Sequence, residues 1–330
     1  MKVLMIGGTG LISTAVTKRA VDMGHDVYLL NRGLRAKDMM EGVHHIQADI
    51  TQLNAVKQAL KGYHFDTVVD WIAFHVGHIK RDIELFQGLT DQYIFIGTAS
   101  SYPKPSPFLP ITEDIPLSNP FWGYSEEKRK CEEYLNAILK PPFGITIVRP
   151  SHTYDDHSLV FQIPHWGAPF TLLSRMIHGD PIVIAGDGSS LWTLTHHTDF
   201  ACAFVDLFGQ KKTYGETYHL TSDKVYSWQK ITESLYQALG KKPNIIHMPY
   251  DMIYKHFPDL EGPMRGDNLY DAIFDNSKIK QVAPHYQSTI EYPDVAKKVV
   301  QYFLSHPDVQ SVDDGFMKRY NSMIEDYLKS

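Results

Sequence analysis

The sequence predicts an α/β protein: a doubly wound parallel sheet followed by a smaller mixed α/β lobe. Three observations point to it. Short apolar runs alternate with amphipathic helical segments through the first half of the chain. A glycine-rich turn, Gly7-Gly8-Thr9-Gly10, follows the first run and opens the first helical segment. Beyond about residue 150 the alternation gives way to stretches rich in loops, prolines and aromatics.

Taken in order, residues 3–6, 26–30, 45–48, 67–72, 93–96 and 145–148 read as buried parallel strands. Residues 12–23 place apolar side chains at helical spacing between the first two. Asn119-Pro120 reads as a helix cap with proline in the first turn, and Pro141-Pro142 as the stop. Between them Cys131, Tyr134, Leu135, Ile138 and Leu139 fall on one face, and Tyr124 and Lys128, at i and i+4, project from one side. The stretches "DDHSLVFQIPHWGAP", "DGSSLWTLTHH" and "FPDLEGPMRGDN" then suggest a second lobe. The expected division is residues 1–165 for the first domain and 166–330 for the second, with part of 190–225 returning to the first.

A chain of 330 residues can bury a sizeable core, and its 43% hydrophobic and 21% charged fractions are those of an ordinary soluble globule. A net charge of -6 supplies no large positive field, which argues against a nucleic-acid partner. No apolar run approaches the ~20 residues needed to cross a bilayer, and the core of "MKVLMIGGTG" is too short for a signal peptide. Cys131 and Cys202 stand far apart, which argues against a disulfide framework and for a reducing cytoplasm.

Gly7, Gly8 and Gly10 can form the tight turn that brings backbone amides to a pyrophosphate at a helix N-terminus, with Thr9, Leu11 and Ile12 around it. Ser13 stands where a third glycine is usual and is small enough for close helix–sheet packing. "YLLNRG" ends the second strand with Asn31 and Arg32 in place of a carboxylate; an arginine there pairs with a 2′-phosphate, so the reading leans to NADP within NAD(P). Asp49 and Ile50 are candidates to bracket the adenine. Further on, Tyr124 is poorly suited to proton transfer at its ordinary pKa near 10. A lysine one turn away, with a nicotinamide cation, would lower that pKa, and a hydroxyl on a neighbouring strand end would hold a substrate oxygen.

The segments "GGTGLIS", "ADI", "YIFIGTASSY", "PITEDIPLSNPFWGYSEEK", "TIVRPSHTYD" and "GDGSSLW…HHTDFACAF" together resemble the extended short-chain dehydrogenase/reductases, or NAD-dependent epimerase/dehydratases, over nearly the whole chain. The resemblance implies a Rossmann-type N-terminal domain and a C-terminal substrate lobe. It makes Tyr124 the general acid/base, Lys128 the ligand of the nicotinamide ribose that also tunes Tyr124, and Thr98 the catalytic hydroxyl, with Ser100 as second choice. Pro150 falls at the nicotinamide, and Ser100, Tyr102, His152, Trp192 and Arg265 fall on the substrate side. A homodimer through helices of the first domain is also implied.

Two departures matter. Where nucleotide-sugar epimerases usually show an arginine after "GDG", this chain has Trp192, leaving Arg265 as the one candidate clamp for a diphosphate. An indole stacks on a sugar but cannot pair with phosphate, so an unactivated sugar or polyol enters consideration beside a nucleotide sugar. Ala99-Ser100 replace the acidic pair of the family's dehydratases, which disfavours elimination of water. His196, His197 and Asp199, or His152, Asp155 and His157, lack the spacing of a zinc site, so no metal is expected. The alternative function is an RNA-binding or cofactor-sensing protein, because a branch with similar "LNRG" and "RPSHTYD" segments includes chloroplast stem-loop binders.

Overall fold

The computed structural model describes residues 1–33 and 40–330. Its main sheet is built from β1 (Lys2–Ile6), β2 (Asp26–Asn31), β3 (His44–Gln47), β4 (Phe65–Asp70), β5 (Thr90–Ile96), β6 (Gly144–Pro150) and a late strand, Glu216–Leu220. All pairs are parallel, in the order late strand, β6, β5, β4, β1, β2, β3. The chain order reverses between β1 and β4, and ligands of such sheets sit at that point, off the carboxyl ends of the strands.

Successive residues of each strand face opposite sides, and both sides are covered. Val3 and Met5 meet α1 (Leu11–Asp22) and the helix His197–Phe204, in one core with Val16, Ala20, Phe200 and Phe204. Leu4 and Ile6 belong to the opposite core with Val56 of α2 (Leu53–Ala59), Ile79 and Leu85 of α3 (Val76–Phe86), and Cys131 and Leu135 of α4 (Gly123–Asn136). Burial on both faces is why these strands read as unbroken apolar runs rather than alternating ones.

The largest core lies beyond this sheet. It gathers Trp192, Trp228, Tyr292, Phe303 and Tyr320 under the helices Trp228–Ala238, Tyr292–Ser305 and Asp314–Lys329. Two small sheets brace it: Val225–Ser227, Leu191–His196 and His152–Tyr154 in one, Ile245–Met248 with Ile182–Ala185 in the other.

Several expected boundaries move, each for a local reason. The fourth strand stops at Asp70 instead of running to 72, because the Asp70 Oδ1 accepts the amides of Ile72 at 2.6 Å and Ala73 at 2.9 Å and turns the chain. Asn119 does not cap α4, which begins at Gly123. Its side-chain amide instead donates to the carbonyls of Ser100 at 2.6 Å and Gly266 at 2.7 Å, tying the turn before α4 to both lobes. The helix ends at Asn136, short of Pro141-Pro142, and Leu139 is 97% exposed rather than on the buried face.

Candidate functional site

The nucleotide end is set by the turn after β1. Gly7 and Gly8 have φ of +94° and +81°, and a Cβ on Gly8 would lie 2.6 Å from the Leu29 Cδ2, so no larger residue fits there. Gly10 donates its amide to the Ser13 Oγ at 2.8 Å, which explains serine at the third glycine position: it holds the turn as well as packing. Leu11 and Ile12 form the first turn of α1. Gly7, Thr9, Asn31, Arg32, Asp49 and Ile50 border a cleft of about 490 Å³. Asp49 accepts from the Thr51 amide at 2.9 Å and hydroxyl at 2.8 Å, which lowers its pKa and keeps it charged, with the Arg32 guanidinium adding to that. These residues fit a dinucleotide: a cradle closed to side chains, a helix N-terminus, and an arginine beside a fixed carboxylate at the ribose end.

The second cleft, of about 230 Å³, opens between the lobes off the ends of β5 and β6. Its wall brings together Thr98, Ser100, Tyr124, Pro150, His152 and Trp192, which lie up to 94 positions apart. The Tyr124 ring stays 38% exposed to the cleft, while its phenol oxygen lies deep enough that burial raises its pKa. The Thr98 hydroxyl, on the same cleft wall, pulls the pKa back down, and the Asp267 carboxylate pushes it further up. Thr98 is held by its own turn: its Oγ1 accepts from the Ser100 amide at 3.2 Å and lies 2.9 Å from the Ser100 Oγ. The Ser100 Oγ lies 2.7 Å from the Ser125 Oγ, so a file of hydroxyls runs from the phenol into α4.

Lys128 departs from expectation. Its buried ammonium donates to the carbonyls of Ala73 at 2.8 Å and Ile96 at 2.7 Å, beneath the rings of Phe74 and Phe95. Burial lowers its pKa to about 8, with Asp70 opposing. Burial therefore decides the Tyr124 pKa, which within the chain is raised, not lowered. One of the three ammonium donors remains for a ribose hydroxyl.

Two further residues stand elsewhere. Tyr102, expected on the substrate side, is fully buried behind the cleft, its hydroxyl 2.5 Å from the His219 Nε2 and accepting from Arg149 at 2.5 Å. Arg265 turns away: it pairs with Glu261 at 3.4 Å, covers the Phe121 ring, and borders a separate hollow with Tyr250 and Tyr254. Conversely, the cleft holds side chains that sequence reasoning passed over. Trp122 and Trp166 face each other with parallel rings 6.5 Å apart, and Asp267 takes a 2.6 Å hydrogen bond from Lys104. All but Lys104 lay inside segments already singled out, "NPFWGYSEEK", "PHWGAP" and "MRGDN", but nothing in spacing joined them. Burial lowers the His152 pKa to about 4, so it is neutral. Among the described residues no three His, Cys, Asp or Glu side chains converge as a metal site would require.

The family model described as NAD dependent epimerase/dehydratase family matches residues 3–87 and 84–220. The chain belongs to that family. It is 24% identical over 289 residues to a 2'-dehydrokanamycin reductase of Streptomyces kanamyceticus, covering 87% of this chain and 80% of the relative. It is 25% identical over 260 residues to a chloroplast stem-loop binding protein of 41 kDa from Arabidopsis thaliana, covering 74% of this chain and 65% of that one. The structure of a UDP-glucuronic acid 4-epimerase from Bacillus cereus in complex with NAD shares the fold, with a TM-score of 0.69 at 18% identity over 92% of this chain and 96% of the other.

Proposed function

We propose that the protein is an NAD(P)-dependent oxidoreductase or epimerase acting on a secondary alcohol of a sugar, with NADP preferred through Arg32. The observation that carries this reading is the Tyr124 phenol and the Thr98 hydroxyl on the wall of one cleft, with Lys128 one helical turn from Tyr124 on α4. In this reading residues 1–165 hold the dinucleotide and 166–330 supply most of the substrate wall. Gly7, Thr9 and Gly10 with Leu11 and Ile12 hold the pyrophosphate, Asn31, Arg32, Asp49 and Ile50 the adenosine end, and Lys128 and Pro150 the nicotinamide end. Thr98 donates to the substrate oxygen, and Tyr124 gives that oxygen a proton as a ketone is reduced or takes one as an alcohol is oxidised. The bound dinucleotide supplies or accepts the hydride at the substrate carbon. A reductase among the relatives supports the net redox form, and the family description supports the epimerase form. The buried, neutral turn Ala99-Ser100 offers no acid/base pair for dehydration.

The test is a mass spectrum of small molecules released from purified protein, followed by nicotinamide absorbance with keto-sugars and NADPH or NADH. Retained dinucleotide and oxidation of NADPH at least about tenfold faster than of NADH are expected. A protein that binds neither dinucleotide, but holds RNA in a salt-sensitive way, would instead favour the stem-loop-binding reading.

A further inference from the structure

We infer that the cleft selects a sugar or aminocyclitol ring that carries an ammonium group and no phosphate, held by Asp267 within a cage of Trp122, Tyr124, Trp166 and Trp192. This rests on the proposed redox reading of the same cleft and names its substrate class.

Five aromatic side chains border the cleft, Phe274 beside the four of the cage, and Asp267 is the one charged residue among its described lining. Aromatic faces around a carboxylate are what an ammonium requires: the rings attract the cation by their quadrupoles, and the carboxylate accepts its hydrogen bonds. The cage is built rigidly. The Trp122 ring is wedged against Gly262 and Gly266, where an added Cβ would lie 2.4 Å and 3.0 Å from it. Trp192 is 2% exposed, crosses Trp228 at 5.2 Å, and its buried indole N–H has no partner among the described residues. Asp267 is set from behind by Lys104, whose ammonium pairs with its Oδ1 at 2.6 Å and lies 5.9 Å from the Trp192 ring centre; that side chain is 1% exposed and does not border the cleft, while 19% of the Asp267 side chain stays open and its second carboxylate oxygen is left to a ligand.

Phosphate finds no grip. Neither this cleft nor the adjoining hollow of about 320 Å³, which shares His152, Thr153, Pro164 and Trp166, has an arginine or lysine among its described lining. His152 is neutral, so it neither pairs with an anion nor repels a cation. A cleft of about 230 Å³ lies below the ~300–1,000 Å³ of drug-sized sites and suits a single ring. The charge also completes the chemistry. Asp267 works against the Tyr124 phenolate, and a substrate ammonium on its second oxygen, opposite Lys104, further reduces that field and aids proton transfer.

Tryptophan fluorescence of the full chain, titrated with glucosamine, 2-deoxystreptamine, glucose and UDP-glucose, tests this without turnover. The two amine-bearing rings should saturate at concentrations at least about tenfold lower than glucose, with UDP-glucose no tighter than glucose. Asp267→Asn should bring the amines to the level of glucose. If that variant fails to fold, Trp166→Leu, at a position 67% exposed, should weaken the amine probes by severalfold. Equal binding of all rings, tightest binding of UDP-glucose, or variants that keep the parent's preference would overturn the inference. Discrimination among rings without any hydride transfer would refute the redox reading alone. Turnover of neutral or nucleotide sugars in preference to amines would refute this inference alone.

Discussion

At the scale of single residues, burial of the Tyr124 phenol sets the direction of proton traffic. A phenol raised above its ordinary pKa is protonated at neutral pH, ready to give a proton to a ketone and slow to accept one from an alcohol. Ketone reduction should therefore stay level through neutral pH and fall only as pH rises through the raised phenol pKa, while alcohol oxidation should climb over the same range. Thr98→Val removes the donor that stabilises phenolate, so its alkaline limb should move to higher pH and kcat should fall by about 10²-fold; Thr98→Ser should restore both. Steady-state pH profiles in the two directions check this. Spacing made the Tyr124–Lys128 pair visible on one helix, and the family resemblance singled out Thr98; the structure brings Thr98 and Tyr124 to one cleft. The direction of the Tyr124 shift was not legible in the sequence, since it depends first on how deeply the phenol is buried and then on Asp267, 143 positions away. Tyr102 was misread for a similar reason: its neighbours in sequence face the cleft, but its own ring turns to Arg149 and His219.

At the scale of elements, α4 is fixed to the sheet by a buried ion pair. The Arg149 guanidinium of β6 donates to Glu132 at 2.6 Å and 2.9 Å, one turn beyond Lys128, and also reaches Tyr102 and the Glu113 carbonyl. Glu132 is 1% exposed and Arg149 5%, so removing one partner strands the other charge. Glu132→Ala should cost about 3–5 kcal/mol in denaturant unfolding. A loss under about 1 kcal/mol would mean the pair does not anchor the helix. Gly97 belongs to the same clasp, since a Cβ there would stand 2.3 Å from the Glu132 Oε1; Gly97→Ala should therefore also destabilise. Along the run "EEKRKCEE", Glu126, Glu127, Arg129, Lys130 and Glu133 form a lattice of ion pairs on the outer face. Lys128, Cys131 and Glu132 leave it for the interior, a division that helical period foreshadows but composition hides. The parallel, doubly wound character of the sheet followed from the βα alternation, whereas the end of β4 and the turn before α4 are set by the side chains of Asp70 and Asn119, which no periodicity reports.

For the whole molecule, acid stability should be limited by histidines buried between the lobes. Burial lowers the pKa of His219 to about 3 and of His152 to about 4, both from an ordinary 6.5. The unfolded chain therefore takes up protons first, and stability present above pH 6.5 is lost as pH falls toward 4 and then 3. Each group contributes at most about 1.4 kcal/mol per pH unit in that window. His219→Gln should flatten the acid limb relative to the parent in urea unfolding at stepped pH; an unchanged slope would place the acid sensitivity elsewhere. The two-lobe arrangement and the glycine turn were readable from pattern alone. The cage of tryptophans around Asp267 was not, because residues 122, 166, 192 and 267 meet only when the second lobe closes over the sheet.

The most direct test is Tyr124→Phe assayed twice on one preparation: dinucleotide affinity by fluorescence, and turnover of the substrate alcohol or ketone. Affinity within about twofold of the parent, with kcat lower by 10²–10⁴-fold, is the result expected if the phenol carries the proton. Turnover within a few-fold of the parent would contradict it.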